Sequence, residues 1–200
     1  MPTAQLLLER YVEAKDLTQP RLMQDIYAAA AILTFSIATD SIDFPRRVVG
    51  IEAITRTLVV DFAARFSRCK TFYVCESPPQ ETKNPVVLPW LVLMREGALQ
   101  QLRIGKGYYR WTFENVGHDR ARVVAMHIHI AAMDAIADAD GRLLSAAQAP
   151  LTYPWLAPAL MSSKLKALTE ADAALAFLRD FASPVDPASC GERASLHGRG

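Results

Sequence analysis

The hydrophobic spacing of this chain changes once, near residue 68, and that change limits the folds open to it. Before it, Ile51, Ile54, Leu58, Phe62 and Phe66 recur at intervals of three and four, the spacing of a helix with one buried stripe. Glu52 in the first turn and Arg65 and Arg68 near the end suit the helix dipole. After it, the period falls to two. Strand patterns cover 69–77, 86–95, 102–114 and 121–133, and Pro78-Pro79, Glu96-Gly97 and Val116-Gly117 between them read as turns. Helices first, then a run of hairpin-linked strands, is an α+β order.

Upstream, residues 3–15 carry Leu7, Tyr11 and Ala14 on one helical face, with Leu8 and Val12 beside them. A second helix is expected to open at Pro20, since proline is favoured in a first turn, with Leu22, Met23, Ile26 and Tyr27 as its buried stripe. The branched and aromatic run 32–37 reads as a strand. Residues 38–49 read as a loop with a short strand, holding Asp40, Asp43, Pro45, Arg46 and Arg47. Past the sheet, 151–168 is apolar and is expected to be irregular before turning helical. Thr169 with Asp172 reads as a capping box opening a helix that buries Ala174, Leu175, Leu178 and Phe181. The organisation expected is one domain over 1–135, an extension over 136–182 packed on it, and a disordered tail over 183–200 rich in Ser, Pro, Gly and charge.

Composition narrows the function classes. With 22 basic and 21 acidic residues and a net charge of +1, there is no electrostatic footprint for nucleic acid. The first apolar run stops after three leucines, too short for a secretory signal, and no run approaches the ~18–20 residues of a membrane span. A cytoplasmic protein that touches neither membrane nor nucleic acid is the expectation. Cys69 and Cys75 fall in one extended strand, ~20 Å apart at ~3.3 Å per residue, beyond the reach of a disulfide. Together with Cys190 they are read as reduced thiols.

The order of elements, with Arg10-Tyr11-Val12-Glu13, Ile26-Tyr27-Ala28, Gly50-Ile51-Glu52-Ala53-Ile54 and Tyr109-Arg110-Trp111-Thr112-Phe113, resembles the nuclear transport factor 2-like superfamily. Its ketosteroid isomerase-like and SnoaL-like branch is the nearest likeness, and the match covers roughly residues 5–133. The resemblance implies a curved antiparallel sheet wrapped around helices as a cone, with a pocket inside it and a homodimer in solution. Gly105 and Gly107 fit the curvature, because glycine inside a strand often marks a bulge or bend.

By that resemblance Tyr11 occupies the place of an oxyanion hydrogen-bond donor, and Tyr109 stands where a second donor is expected. The place of the proton-shuttling base falls on Phe35, which cannot accept a proton, and Ala28, Ala29 and Ala30 replace the acids that often end the second helix. Thr34 and Ser36 flank Phe35, but a hydroxyl is too weak a base. Asp40, and after it Asp43, are the candidate substitutes at the cone's mouth, although solvated carboxylates pairing with Arg46 or Arg47 are the plainer reading. Tyr27, Phe35, Phe62, Trp111, Ile128 and Ile130 are expected to line the pocket, with Trp90 able to face either way. His127 and His129 share a strand face opposite to Val124, Met126, Ile128 and Ile130, so a pocket or metal role for them would require a bulge.

No phosphate loop, dinucleotide fingerprint, zinc-protease helix or nucleophile elbow is present, and no cofactor or metal is expected. Three functions follow: a cofactor-independent lyase, isomerase or cyclase acting on a small apolar or aromatic molecule, a non-catalytic binder of such a molecule, or an accessory subunit like the small subunits of ring-hydroxylating oxygenases. The aromatic start of the extension, Tyr153 and Trp155, is expected to lid the cone.

Overall fold

A computed structural model describes residues 3–81, 84–115 and 121–191, with helices leading and the sheet following. Helix α1 (Ala4–Asp16) starts at Thr3, whose hydroxyl accepts from the Leu6 N–H, and buries Leu7, Leu8, Tyr11, Val12 and Lys15. Proline does open the next segment, but as a 3-10 turn (Pro20–Leu22) that leads into one helical turn, α2 (Met23–Ile26). Tyr27 belongs to strand β1 (Tyr27–Ile37), where it pairs with Val123. The alanines after it are good helix formers, yet they fall in a register shift between Tyr27 and Ile32, and the paired residues on either side hold them extended.

Strand β2 (Arg47–Val49) is short, and Gly50 follows at φ 88°, a conformation that favours glycine. The next helix runs as α3 (Ile51–Thr55), one π turn (Arg56–Val60) and α4 (Asp61–Arg65). Phe66, which the spacing placed on the helix, is instead the first residue of β3 (Phe66–Val74) and pairs with Glu96. Strands β4 (Val86–Glu96), β5 (Gln101–Asn115) and β6 (Ala121–Ala137) complete the main sheet. The Val116-Gly117 turn lies outside the described residues.

The seven strands run in the order β2-β1-β6-β5-β4-β3-β7, where β7 is Trp155–Leu156. All neighbours are antiparallel except β1 with β6 and β3 with β7. Register shifts fall at Lys106/Gly107 and Thr112/Phe113 on β5. Any side chain at Gly107 would overlap the His129 carbonyl oxygen, so the close approach of β5 to β6 at that bend needs glycine. The second shift pairs Phe113 with Val123, so Val123 joins the inner core and Val124 does not.

Alternation along β3 and β4 feeds two cores. Tyr73, Trp90, Val92 and Met94 face inward with the helices, and Phe72, Val74, Leu91 and Leu93 face the other way. That second core lies under α5 (Arg142–Gln148), α6 (Pro158–Ala171) and a 3-10 helix (Ala173–Phe181), which explains why β4 is apolar on both faces. The capping residue of the last of these is Asp172, whose carboxylate accepts from the Ala174 N–H; Thr169 sits within α6 and bonds the Lys166 carbonyl. A further short helix, α7 (Pro187–Gly191), lies in the segment expected to be a tail. Residues 192–200 and the Cys190 side chain lie outside what is described. Among the described residues, no helix is long and apolar enough to cross a membrane.

Candidate functional site

The inner face of the sheet and the helices enclose a chamber with about 50 Å³ of free space. Tyr11 and Lys15 come from α1, Leu58 from the π turn and Phe62 from α4, while Trp90, Val92 and Met94 come from β4, Tyr109 from β5, and Ile128, Ile130 and Met133 from β6. Phe35 of β1 completes the wall, with Ile42 and Phe44 at the mouth. The Phe44 ring stacks on Phe35 at 4.7 Å and also borders two outer hollows that share Asp43. The loop that carries it is pinned by Arg103, which donates to the Ser41 carbonyl at 2.9 Å and twice to Glu96, and the Ser41 hydroxyl donates to Met133.

The wall is almost wholly apolar except where α1 passes. Lys15 is 6% exposed and Asp16 1%, and the ammonium donates to Asp16 Oδ1 at 2.7 Å. Its second partner is Cys69 Sγ at 3.3 Å, and the Phe62 ring lies 4.6 Å from Nζ. Asp16 is saturated: Thr71 donates from its N–H (2.6 Å) and hydroxyl (2.9 Å), and the Tyr153 hydroxyl donates at 3.0 Å. Burial opposes both charges, but each outweighs it for the other. The Asp16 carboxylate holds Lys15 above the usual lysine range, and the Lys15 ammonium with the Thr71 bonds holds Asp16 below the usual carboxylate range. Burial, helped by Asp16, pushes the Cys69 thiol up to about 12. At neutral pH Lys15 is therefore a cationic donor rather than a nucleophile, Cys69 is a thiol, and Asp16 has no lone pair to spare for a substrate proton.

Tyr11 is fully buried, and its hydroxyl makes no hydrogen bond of ordinary geometry, the Tyr109 hydroxyl being the group that interacts with it. Tyr109 is its neighbour at 5.9 Å between ring centres, without a hydrogen bond of ordinary geometry between them. Burial raises the phenols of Tyr11 and Tyr109 above their usual range, so both are neutral donors. The Trp90 indole N–H is buried without a partner. Unpaired polar atoms cost free energy when buried, and a native structure that keeps one invites a reason.

The chamber brings together seven of the residues singled out from sequence: Tyr11, Tyr109, Phe35, Phe62, Ile128 and Ile130, and Trp90, which by sequence alone can face either way. Tyr27 and Trp111 stand in the layer behind, where Tyr27 donates to Met126 Sδ at 2.9 Å and Trp111 packs edge-on to Tyr11 at 4.9 Å. Asp40 does not reach the chamber: it is an exposed loop residue, because β1 ends at Ile37 and the loop turns outward there. Asp43 borders only the outer hollows. His127 and His129 lie outside the cone, joined through the Ser36 hydroxyl at 2.8 Å from each, with Thr34 on the other nitrogen of His127 and Tyr108 stacked on His129. Among the described residues no three His, Cys, Asp or Glu side chains are placed to hold a metal.

The lid expected of Tyr153 and Trp155 is not formed at the mouth. Trp155 extends the sheet beside β3, stacks on Tyr73 and donates to Glu9, so the segment closes the seam between α1 and the sheet edge. The sequence does not single out the charged pair Lys15 and Asp16, nor the apolar Phe44, Met94 and Met133 of the wall. The signal was available, since Lys15 continues the apolar stripe of Leu7, Leu8 and Tyr11, where a charge needs a buried partner.

No protein-family model matches the chain, and no curated protein sequence does. Solved structures do match. A nuclear transport factor 2 (NTF2-like) superfamily protein from Salmonella enterica subsp. enterica serovar Typhimurium aligns with a TM-score of 0.51 at 16% identity, covering 63% of this chain and 87% of that one. The fold is the NTF2-like cone. LinA shares it, with a TM-score of 0.53 at 14% identity over 66% of this chain and 85% of its own. So does hexachlorocyclohexane dehydrochlorinase LinA-type3 from Novosphingobium barchaimii, with 0.50 at 13% identity over 66% and 86%. About a third of this chain thus lies outside each of these alignments.

Proposed function

We propose that the NTF2-like chamber holds one small, largely apolar or aromatic molecule, and that its residues serve binding rather than proton abstraction. The observation that carries this is the contrast on its wall: an apolar lining broken only by the Tyr11 and Tyr109 hydroxyls, the Trp90 indole and the Lys15 ammonium. Pockets with mostly apolar walls and a few placed polar groups are the usual form of small-molecule sites. A lyase, isomerase or cyclase would need a base within reach of its substrate, and the described lining residues include no free carboxylate or imidazole. The hexachlorocyclohexane dehydrochlorinases share the cone; a five- or six-membered ring exceeds the about 50 Å³ of free space here, so seating one requires the Ile42 and Phe44 side of the mouth to give way.

The test uses methionine methyl groups labelled for NMR, because Met94 and Met133 line the chamber whereas Met161 belongs to the outer core. A panel of five- and six-membered ring compounds is expected to shift Met94 and Met133 and leave Met161 unmoved. If no compound moves the first two, or Met161 moves instead, the chamber is not the binding site.

A further inference from the structure

We infer that Ser36, on the outer face of the sheet, is an activated nucleophile that takes the acyl group of a small carboxylic ester, with the imidazoles of His127 and His129 as its base. The site stands apart from the chamber, and neither reading depends on the other.

The geometry begins with the register of β1 on β6. The two strands run parallel, with Thr34 beside His127 and Ser36 beside His129, so alternate residues of both bring two hydroxyls and two imidazoles to one face. Ser36 Oγ lies 2.8 Å from His127 Nε2 and 2.8 Å from His129 Nδ1, and Thr34 Oγ1 lies 2.8 Å from the other nitrogen of His127. A hydroxyl has one hydrogen to give. Two imidazole nitrogens can both bond to it only if one donates to the oxygen and the other accepts its proton. Whichever tautomers are present, the Ser36 proton therefore points at a bare imidazole nitrogen, the pairing that activates a serine. Burial holds both rings below the usual histidine range, aided at His127 by His129 and by Arg110 of β5. Tyr108, also of β5, stacks on His129. A base is thus uncharged and ready at neutral pH. Ser41 shows what satisfying a hydroxyl needs: it meets the Thr39 hydroxyl and the Met133 carbonyl, and neither is a base.

Ser36 is half-buried, and the strand order leaves it an open side. With β6 on one flank of β1, the other flank past the end of β2 borders a hollow of about 490 Å³, whose wall includes Ser36, Asp43, Phe44 and Arg46. A compact ester fits that space, and Arg46 is the cation on its wall for the oxygen that gains charge. In the reaction Ser36 Oγ bonds to the carbonyl carbon and its proton passes to the bare imidazole nitrogen. The bond from that carbon to the alkoxy oxygen breaks, and the oxygen takes the proton as the alcohol leaves. Water then attacks the Ser36 ester through the same nitrogen, which releases the carboxylic acid and restores the hydroxyl.

The experiment treats the wild-type protein with diisopropyl fluorophosphate, which loses fluoride to a nucleophilic serine and leaves a stable phosphoryl ester, and locates the modified residue by peptide mass spectrometry. Cleavage of p-nitrophenyl acetate is followed in parallel by release of p-nitrophenolate. Ser36 is expected to carry the label and Ser41 to stay unmodified, and Ser36→Ala should lose the label and the ester cleavage together. Replacing both histidines by glutamine, which can hydrogen-bond but cannot take the proton, should slow both reactions about 100-fold or more, the contribution of a positioned base. The Met94 and Met133 methyl signals are read in each variant to confirm its fold. An unlabelled Ser36 in the wild-type protein overturns the inference, and that result needs no variant. Ester cleavage that survives Ser36→Ala, or labelling of Ser36 as fast in the double variant as in wild type, overturns it too.

Discussion

Replacing Lys15 by methionine keeps the length of the apolar stem and removes only the charge, so the cost should report the buried pair. Asp16 is 1% exposed, and taking away one partner of a buried ion pair typically costs ~3–5 kcal/mol. The remaining donors on Asp16, two from Thr71 and one from Tyr153, offset part of that, which places the loss near ~3 kcal/mol. For a domain of this size such a loss lowers Tm by roughly 6–12 °C. Its pH dependence is the sharper signature. In wild type the folded Asp16 titrates below its ordinary value, so its contribution is present above that value and fades as pH falls through the folded one. In Lys15→Met burial acts without the countercharge, and the folded value moves above the ordinary one. The variant's penalty is then full at neutral pH and disappears as pH drops. Lys15 itself, held above the lysine range, contributes equally from pH 7 down to pH 4. Urea melts of both proteins from pH 7 to pH 4 should show the deficit shrinking. A deficit below ~1 kcal/mol, or one that stays constant with pH, would refute a charged pair at this site.

Tyr11→Phe should raise the urea midpoint, by the equivalent of ~1 kcal/mol, since it removes a buried hydroxyl that Tyr109 meets only outside ordinary hydrogen-bond geometry. Tyr73→Phe, which loses a bond to the Leu8 carbonyl at 3.0 Å, should lower it by a similar amount; the same sign for both would contradict the assignment. Gly107→Ala drives a methyl into the His129 carbonyl and to 2.7 Å from the Trp90 ring, so it should cost ~3 kcal/mol or abolish folding. An unchanged denaturation midpoint would show that β5 does not approach β6 this closely. Burial pulls His127 and His129 below the usual histidine range, aided at His127 by the His129 and Arg110 charges. Their neutral forms therefore add stability that is full above pH ~6.5 and lost as pH falls toward the folded values. Imidazole titration by NMR should place both midpoints below that of a free histidine, and replacing both by glutamine should flatten the stability profile in that window.

Much of this architecture can be read from spacing alone. The break in period near residue 68, the proline at the start of the second segment and the glycines of β5 are local signals with local causes, and they describe an α+β chain that curls. The apolar alternation of β5 with Tyr109, and the buried face of the first helix with Tyr11, follow from the same signals, because strands and helices present fixed faces whatever their neighbours are. That Phe35 lies beside them is implied by the family resemblance. What spacing cannot supply is the partner of each element. Tyr27 leaves its helix because Val123 is there to pair with it, and Phe66 begins a strand because Glu96 lies opposite. Asp40 is fourteen residues from the second helix in sequence, yet its side chain ends in solvent because the loop turns away. Lys15, Asp16, Cys69, Thr71 and Tyr153 come from three separated stretches of chain and meet only when α1 docks on β3 and the extension returns along the sheet edge. Two charges can be buried there because each cancels the desolvation cost of the other, and that compensation depends on distances that tertiary packing alone sets.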